Sequence, residues 1–114
     1  MTVGIEFIEG HKEISLPVIK LTKSRNGQTG TATFIFIQPT LFQTFYSQKL
    51  TFDSLSLISN KDIIRSKDIT IFFKEGKPFL IKVVFLFKNS AEWFNFLKFM
   101  REYSKETGLS FSEK

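Results

Sequence analysis

The 114-residue sequence contains no cysteine. Neither a disulfide framework nor a thiolate metal site can be built from it, which accords with a reducing compartment. Histidine is nearly absent as well. The single one, His11, lies between Gly10 and Lys12 and is read as a solvated loop side chain. Glu6, Glu9, Glu13, Asp53, Asp62, Asp68 and Glu75 are scattered singly, so no metal-ligand spacing and no general acid–base pair stands out. No catalytic residue, metal or cofactor is therefore expected. No apolar run approaches the roughly 20 residues that cross a bilayer as a helix. The longest, Val83 to Phe87, is the length of a strand. The first residues carry Glu6 and Glu9 and lack a basic-then-apolar layout, so the chain is expected to stay in the compartment where it is translated. Gly27-Gln28-Thr29-Gly30-Thr31 resembles a phosphate loop only superficially. It lacks the Gly-Lys-Ser/Thr ending and leads into a strand. No serine sits in a nucleophile-elbow context.

What is present is apolar and basic. Hydrophobic residues make up 42% and charged residues 24% of the chain, the balance of a globular protein, and the length fits one domain spanning 1–114. There are 15 phenylalanines, and the 16 cations divide into 13 lysines and 3 arginines. Phe, Lys, Ile and Asn share AT-rich codons, which points to an AT-rich genome, such as an organelle's or a parasite's. The net charge of +5 favours acidic partners in encounter without specifying a fold.

Periodicity and turn chemistry divide the chain into strands followed by one helix. Gly4 to Ile8 reads as an edge strand. Pro17 to Ser24 and Thr31 to Gln38 read as a hairpin, with Asn26-Gly27 as a type I′ turn between them. Gly30 marks a bulge or a close backbone approach. Residues 39–49 form a connection carrying Phe42, Phe45 and Tyr46. Strands follow over Leu50 to Ser59 and Ile63 to Phe73, separated by Asn60-Lys61-Asp62. Glu75-Gly76-Lys77-Pro78 turns the chain into the longest strand, Phe79 to Phe87, about 30 Å long.

From Ala91 to Glu106 the pattern becomes helical. Trp93, Phe96, Leu97, Met100 and Tyr103 form one apolar stripe, with Trp93 and Met100 assigned to the core. Asn89 or Ser90 caps the start, Glu92 completes a capping box with Asn89, and Gly108 takes the left-handed position that ends a helix. Many strands, hairpin turns and a single helix specify an α+β fold: an antiparallel, curved β-sheet, half-barrel or sandwich-like, with one C-terminal α-helix packed on it.

The strands carry more apolar surface than one helix covers. In Phe79–Phe87 both alternating faces are apolar except at Lys82, and Thr31–Gln38 repeats the pattern. The second face must close on itself or meet a partner, as a docking face or a sheet edge that accepts a strand. Some of Phe42, Phe45, Tyr46, Phe94 and Phe99 are expected to stay exposed. Lys23, Ser24, Arg25, Asn26 and Gln28, at the hairpin tip, are the candidate partner-binding residues, because loops on a rigid scaffold often carry function. The alternative function is a small basic β-rich nucleic-acid-binding domain. Against it, only Lys20, Lys23 and Arg25 cluster, and the aromatic motif of the common RNA-binding sheet is missing. No nucleic-acid partner is therefore expected.

The order of these pieces resembles one family. Pro17-Val18-Ile19-Lys20-Leu21-Thr22-Lys23-Ser24-Arg25-Asn26-Gly27-Gln28-Thr29-Gly30-Thr31-Ala32-Thr33-Phe34-Ile35-Phe36, with Pro39 shortly after, is similar to the signature of the thirteen-kilodalton photosystem II reaction-centre protein family of cyanobacteria and plastids. Phe73-Lys74-Glu75-Gly76-Lys77-Pro78 and the tryptophan-led helix from Ser90 to Ser104, closed by Gly108-Leu109-Ser110-Phe111, resemble it again. The resemblance implies a non-catalytic accessory or assembly factor without cofactors. It implies partners among the inner antenna and reaction-centre core subunits of photosystem II assembly intermediates. It also implies a peripheral location on the plastid thylakoid membrane, on its stromal side, or on the cytoplasmic side if the source is a bacterium.

Overall fold

The computed structural model describes residues 3–42, 52–60 and 62–109. Among the described residues eight strands precede the C-terminal helix: β1 Val3–Ile8, β2 His11–Lys12, β3 Val18–Lys23, β4 Gly30–Ile37, β5 Leu55–Ser59, β6 Asp62–Ser66, β7 Ile69–Lys74, β8 Lys77–Phe87 and α1 Ser90–Thr107. They form two four-stranded antiparallel sheets, ordered β2-β1-β5-β6 and β3-β4-β8-β7. The expected α+β class, with a C-terminal helix packed on curved antiparallel sheet, is what is found. The sheet is divided in two and is not closed.

The apolar faces of the two sheets and the stripe of α1 share one core. Ile5 and Leu57 from the first sheet, Phe34, Phe36, Ile81, Val83 and Phe85 from the second, and Trp93, Phe96 and Met100 from the helix are all fully enclosed. Aromatic rings stitch the layers together. Phe7 meets Phe36 edge-on across the sheets, with centroids 5.0 Å apart, and Phe96 stacks on Phe87 at 4.7 Å. Such pairs add about 0.5–1.5 kcal/mol beyond area burial.

Several local expectations are corrected. β1 is an interior strand, paired with β5 on one side and with the two-residue β2 on the other; its Glu6 and partly buried Ile8 had disguised it as an edge. His11 lies in β2, opposite Ile8, and not in a loop. The run Ile63–Phe73 is two strands. β6 pairs with β5, the chain leaves that sheet at Lys67-Asp68, and β7 pairs with β8 in the other. β5 begins at Leu55; residues 52–54 are not strand, and residues 50–51 lie outside the described residues. β8 begins at Lys77 and tolerates Pro78, because β4 pairing stops at Leu80 and the register with β7 slips between Phe72 and Phe73.

The turns also exchange roles. Arg25 and Asn26 do not take positive φ; only Gly27 does, at 71°. Ser24 N–H donates to the Thr29 carbonyl at 2.9 Å, leaving a four-residue loop where a two-residue one was expected. The type I′ chemistry sits at the other hairpin, where Glu75 (φ 53°) and Gly76 (φ 80°) join the paired Lys74 and Lys77. At Gly30 the ladder is unbroken, so the glycine serves close approach and not a bulge. A Cβ there would lie 2.7 Å from the Thr22 carbonyl oxygen and 2.8 Å from the Trp93 ring.

The helix matches its pattern closely. Asn89 Oδ1 accepts from Glu92 N–H at 2.9 Å, while the Glu92 carboxylate accepts from Lys88 N–H at 2.8 Å. The reciprocal bond thus falls one residue earlier than a capping box places it. Gly108, at φ 78°, ends the helix with its N–H on the Ser104 carbonyl. Trp93, Phe96, Leu97, Met100 and Tyr103 are buried as expected. So are Phe99 and Phe42, whereas Phe94 is exposed. Phe45 and Tyr46 lie outside the described residues.

Candidate partner-binding surface

The β3–β4 hairpin tip is shaped by its own side chains. Asn26 Oδ1 accepts from Ser24 Oγ at 2.6 Å and from Gln28 N–H at 3.0 Å. Ser24 Oγ in turn accepts from Thr29 N–H at 3.2 Å. Asx and Ser turn bonds of this kind fix a loop locally. Ser24 and Asn26 are therefore engaged in building the loop, while Lys23, Arg25 and Gln28 are exposed around it. The five residues are brought together at one corner of the second sheet.

A second feature is a cleft of about 540 Å³ lined by β6, the end of β8, and Glu92 and Asn95 of α1. It forms where the chain changes sheets. Ser66 Oγ donates to the Val84 carbonyl at 2.5 Å, and Val84 N–H donates to the Asp68 carbonyl at 3.0 Å. β7 runs alongside β8 no further than Val83, so among the described residues Phe85–Phe87 pair with β4 on one side only. Among the described residues the outer edge of β6 is likewise unpaired. Two open strand edges thus face one cleft. Strand alternation does not reveal it, because it exists only once residues 62–74 are split between sheets.

The sequence reading also missed Glu13. Its buried carboxylate accepts from Thr40 N–H (2.9 Å), Thr40 Oγ1 (2.8 Å), Leu41 N–H (2.9 Å), Ser15 N–H (3.1 Å) and Ser15 Oγ (2.5 Å). It ties the segment after β2 to the turn after β4, across 27 residues of sequence, a span with no local signal. It also touches the chemistry of Tyr103, whose phenol is pushed up to about 12, first by burial and then by the nearby Glu13 charge. These groups are structural. Among the described residues no cluster of three or more acidic or histidine side chains is arranged to hold a metal, and no helix is long and apolar enough to cross a membrane.

Comparison with known proteins gives this architecture a family. A family model described as Psb28 protein matches residues 5–111. The chain is 37% identical over 109 residues to the photosystem II reaction center Psb28 protein of Guillardia theta, covering 96% of this chain and 94% of that one. It is 34% identical over 113 residues to the Prochlorococcus marinus (strain MIT 9215) protein of the same name, covering 99% and 95%. The chloroplastic photosystem II reaction center PSB28 protein of Oryza sativa subsp. japonica is 37% identical over 112 residues, 97% of this chain and 61% of the longer relative. With two open antiparallel sheets, one tryptophan-anchored helix and a match that spans nearly its whole length, the chain belongs to the Psb28 family of photosystem II proteins.

Proposed function

We propose that this chain is a non-catalytic accessory factor that binds photosystem II assembly intermediates at the stromal face of the thylakoid, or at the cytoplasmic face in a bacterium. Its partners are the inner antenna and reaction-centre core subunits of incomplete complexes. It acts as one domain, associated peripherally, and holds membrane-proximal loops or tails until assembly ends. Membership of the Psb28 family carries this reading.

The geometry supplies a mechanism. A partner segment entering the cleft between β6 and β8 meets open backbone N–H and C=O groups on both sides. Strand addition there draws affinity from main-chain hydrogen bonds and specificity from alternate side chains. The hairpin tip adds polar contacts from Lys23, Arg25 and Gln28, held in place by Ser24 and Asn26. The test is a tagged isolation from thylakoids. Incomplete photosystem II complexes are expected with the chain, and recovery falls when Arg25→Glu and Gln28→Ala are combined. Recovery of mature complexes alone, or of no photosystem II subunit, contradicts the reading.

A further inference from the structure

The four strands of the second sheet, β3, β4, β7 and β8, contain Lys20, Lys23, Lys74, Lys77 and Lys82 and not one carboxylate. The first sheet, by contrast, includes Glu6 and Asp62. One end of the second sheet also concentrates exposed apolar side chains. Register places Ile37 opposite Leu80 and Leu80 opposite Phe72 in a row across three strands, with Val18 beside Ile35 in the next. Ile37 is 54% exposed, Val18 50%, Phe72 45% and Phe73 65%, and Ile14 and Leu16, just before β3, are 77% and 47% exposed. These residues stand at chain reversals, around Gln38-Pro39 and the Glu75-Gly76 turn.

We infer that this end of the β3-β4-β8-β7 sheet is a docking surface for an anionic lipid bilayer. Three observations select that occupant. An end that exposes Ile37, Val18, Phe72 and Phe73 together offers the apolar side chains that a bilayer interface takes up below its headgroups. Lys20 and Lys82 on the same face, with Lys74 and Lys77 at the turn, match anionic headgroups at about 1 kcal/mol per lysine, or about fivefold each. Lys74 Nζ rests 5.3 Å from the Phe79 ring centroid, so the cation and its aromatic neighbour are presented together. A second copy of the chain is disfavoured, because the same face would bring lysines against lysines. The nearest acidic groups in sequence, Glu75 in the turn and Asp68 before β7, lie outside the strands. This surface deepens the membrane-peripheral part of the proposed function and leaves the β6–β8 cleft free for a protein segment.

The test is co-sedimentation of the full chain with vesicles of phosphatidylcholine alone and with vesicles in which about a third of the lipid is phosphatidylglycerol. Binding to the anionic vesicles, weak binding to the neutral ones, and release by salt are expected. Replacing Phe72 and Phe73 together with Ser lowers partitioning about tenfold. Lys20→Gln with Lys82→Gln lowers it by about fivefold per lysine. Phe94→Ser, an exposed position on α1, leaves it unchanged, and matching melting curves show that the variants fold. Equal partitioning to both vesicles, no partitioning to either, or full binding by the Phe72/Phe73 variant overturns the inference. A chain that captures photosystem II subunits yet ignores both vesicles overturns the lipid surface alone. A chain that binds anionic vesicles but captures no photosystem II subunit overturns the proposed function alone.

Discussion

The two faces of the β3-β4-β8-β7 sheet are built from similarly apolar sequence and meet opposite fates. In β8, Ile81, Val83, Phe85 and Phe87 are buried under α1 and the first sheet, whereas Leu80 and Val84 are half-covered and Leu86 is 63% exposed. Alternation assigns residues to faces. What covers a face is decided by elements far away in sequence. Here the helix and the β2-β1-β5-β6 sheet both cover the same side, so the inner face is sealed and the outer one stays largely uncovered.

Substitutions measure how unequal the two faces are. The largest effect is expected at Trp93, the hinge of the inner layer, which is fully enclosed and packs against Gly30 and the Phe87 ring. Trp93→Ala is expected to cost about 3–5 kcal/mol in chemical unfolding, through lost burial and the cavity left behind. Glu13→Ala follows, at roughly 3 kcal/mol, because it strands the buried Leu41 N–H and the partly buried Thr40 N–H, which both donate to the carboxylate. Gly30→Ala is expected to cost about 1–3 kcal/mol, since its Cβ drives against a backbone carbonyl that cannot swing aside. Phe72→Ser on the outer face sits at the bottom of the scale, within about 0.5 kcal/mol. A loss there as large as that at Trp93 would erase the distinction between the faces.

A spectroscopic measurement sharpens the same contrast. Burial holds the Tyr103 phenol up to about 12, above the value of about 10 for an unfolded chain. The neutral phenol is therefore the form favoured by folding. Its contribution to stability is complete below about pH 10 and is lost as pH rises through 12. In a Tyr46→Phe variant, the phenolate absorbance is expected to appear only near the upper of these values. A transition near 10 would mean that the inner layer is open to water.

Much of the fold was legible because its signals are local. The helix follows from Trp93, Phe96, Leu97, Met100 and Tyr103 at three- and four-residue spacing, and its ends from Asn89 and Gly108. The β3–β4 pair follows from two apolar runs around a glycine-containing loop. What escaped depends on distant partners. Nothing in Ile63–Phe73 announces that it serves two sheets, since both halves have strand chemistry and Lys67-Asp68 carries no glycine or proline. Asn26-Gly27 looks like a two-residue turn, yet the Ser24 and Asn26 side chains stabilise a wider loop, while Glu75, a residue seldom found at positive φ, accepts it beside Gly76. Of the candidate site, the hairpin tip was visible as a loop on a rigid scaffold. The β6–β8 cleft and the Glu13 latch were not, because each is assembled from segments far apart in the chain.

Hydrogen–deuterium exchange on the chain alone and on the chain bound to isolated photosystem II assembly intermediates tests the docking mechanism most directly. Slowed exchange is expected at the amide of Leu86, which points to the open edge of β8 as that of Val84 does, and at those of residues 23–28, with the interior of α1 unchanged. Identical exchange at both segments in a confirmed complex would contradict strand addition at the cleft and contact by the hairpin tip together.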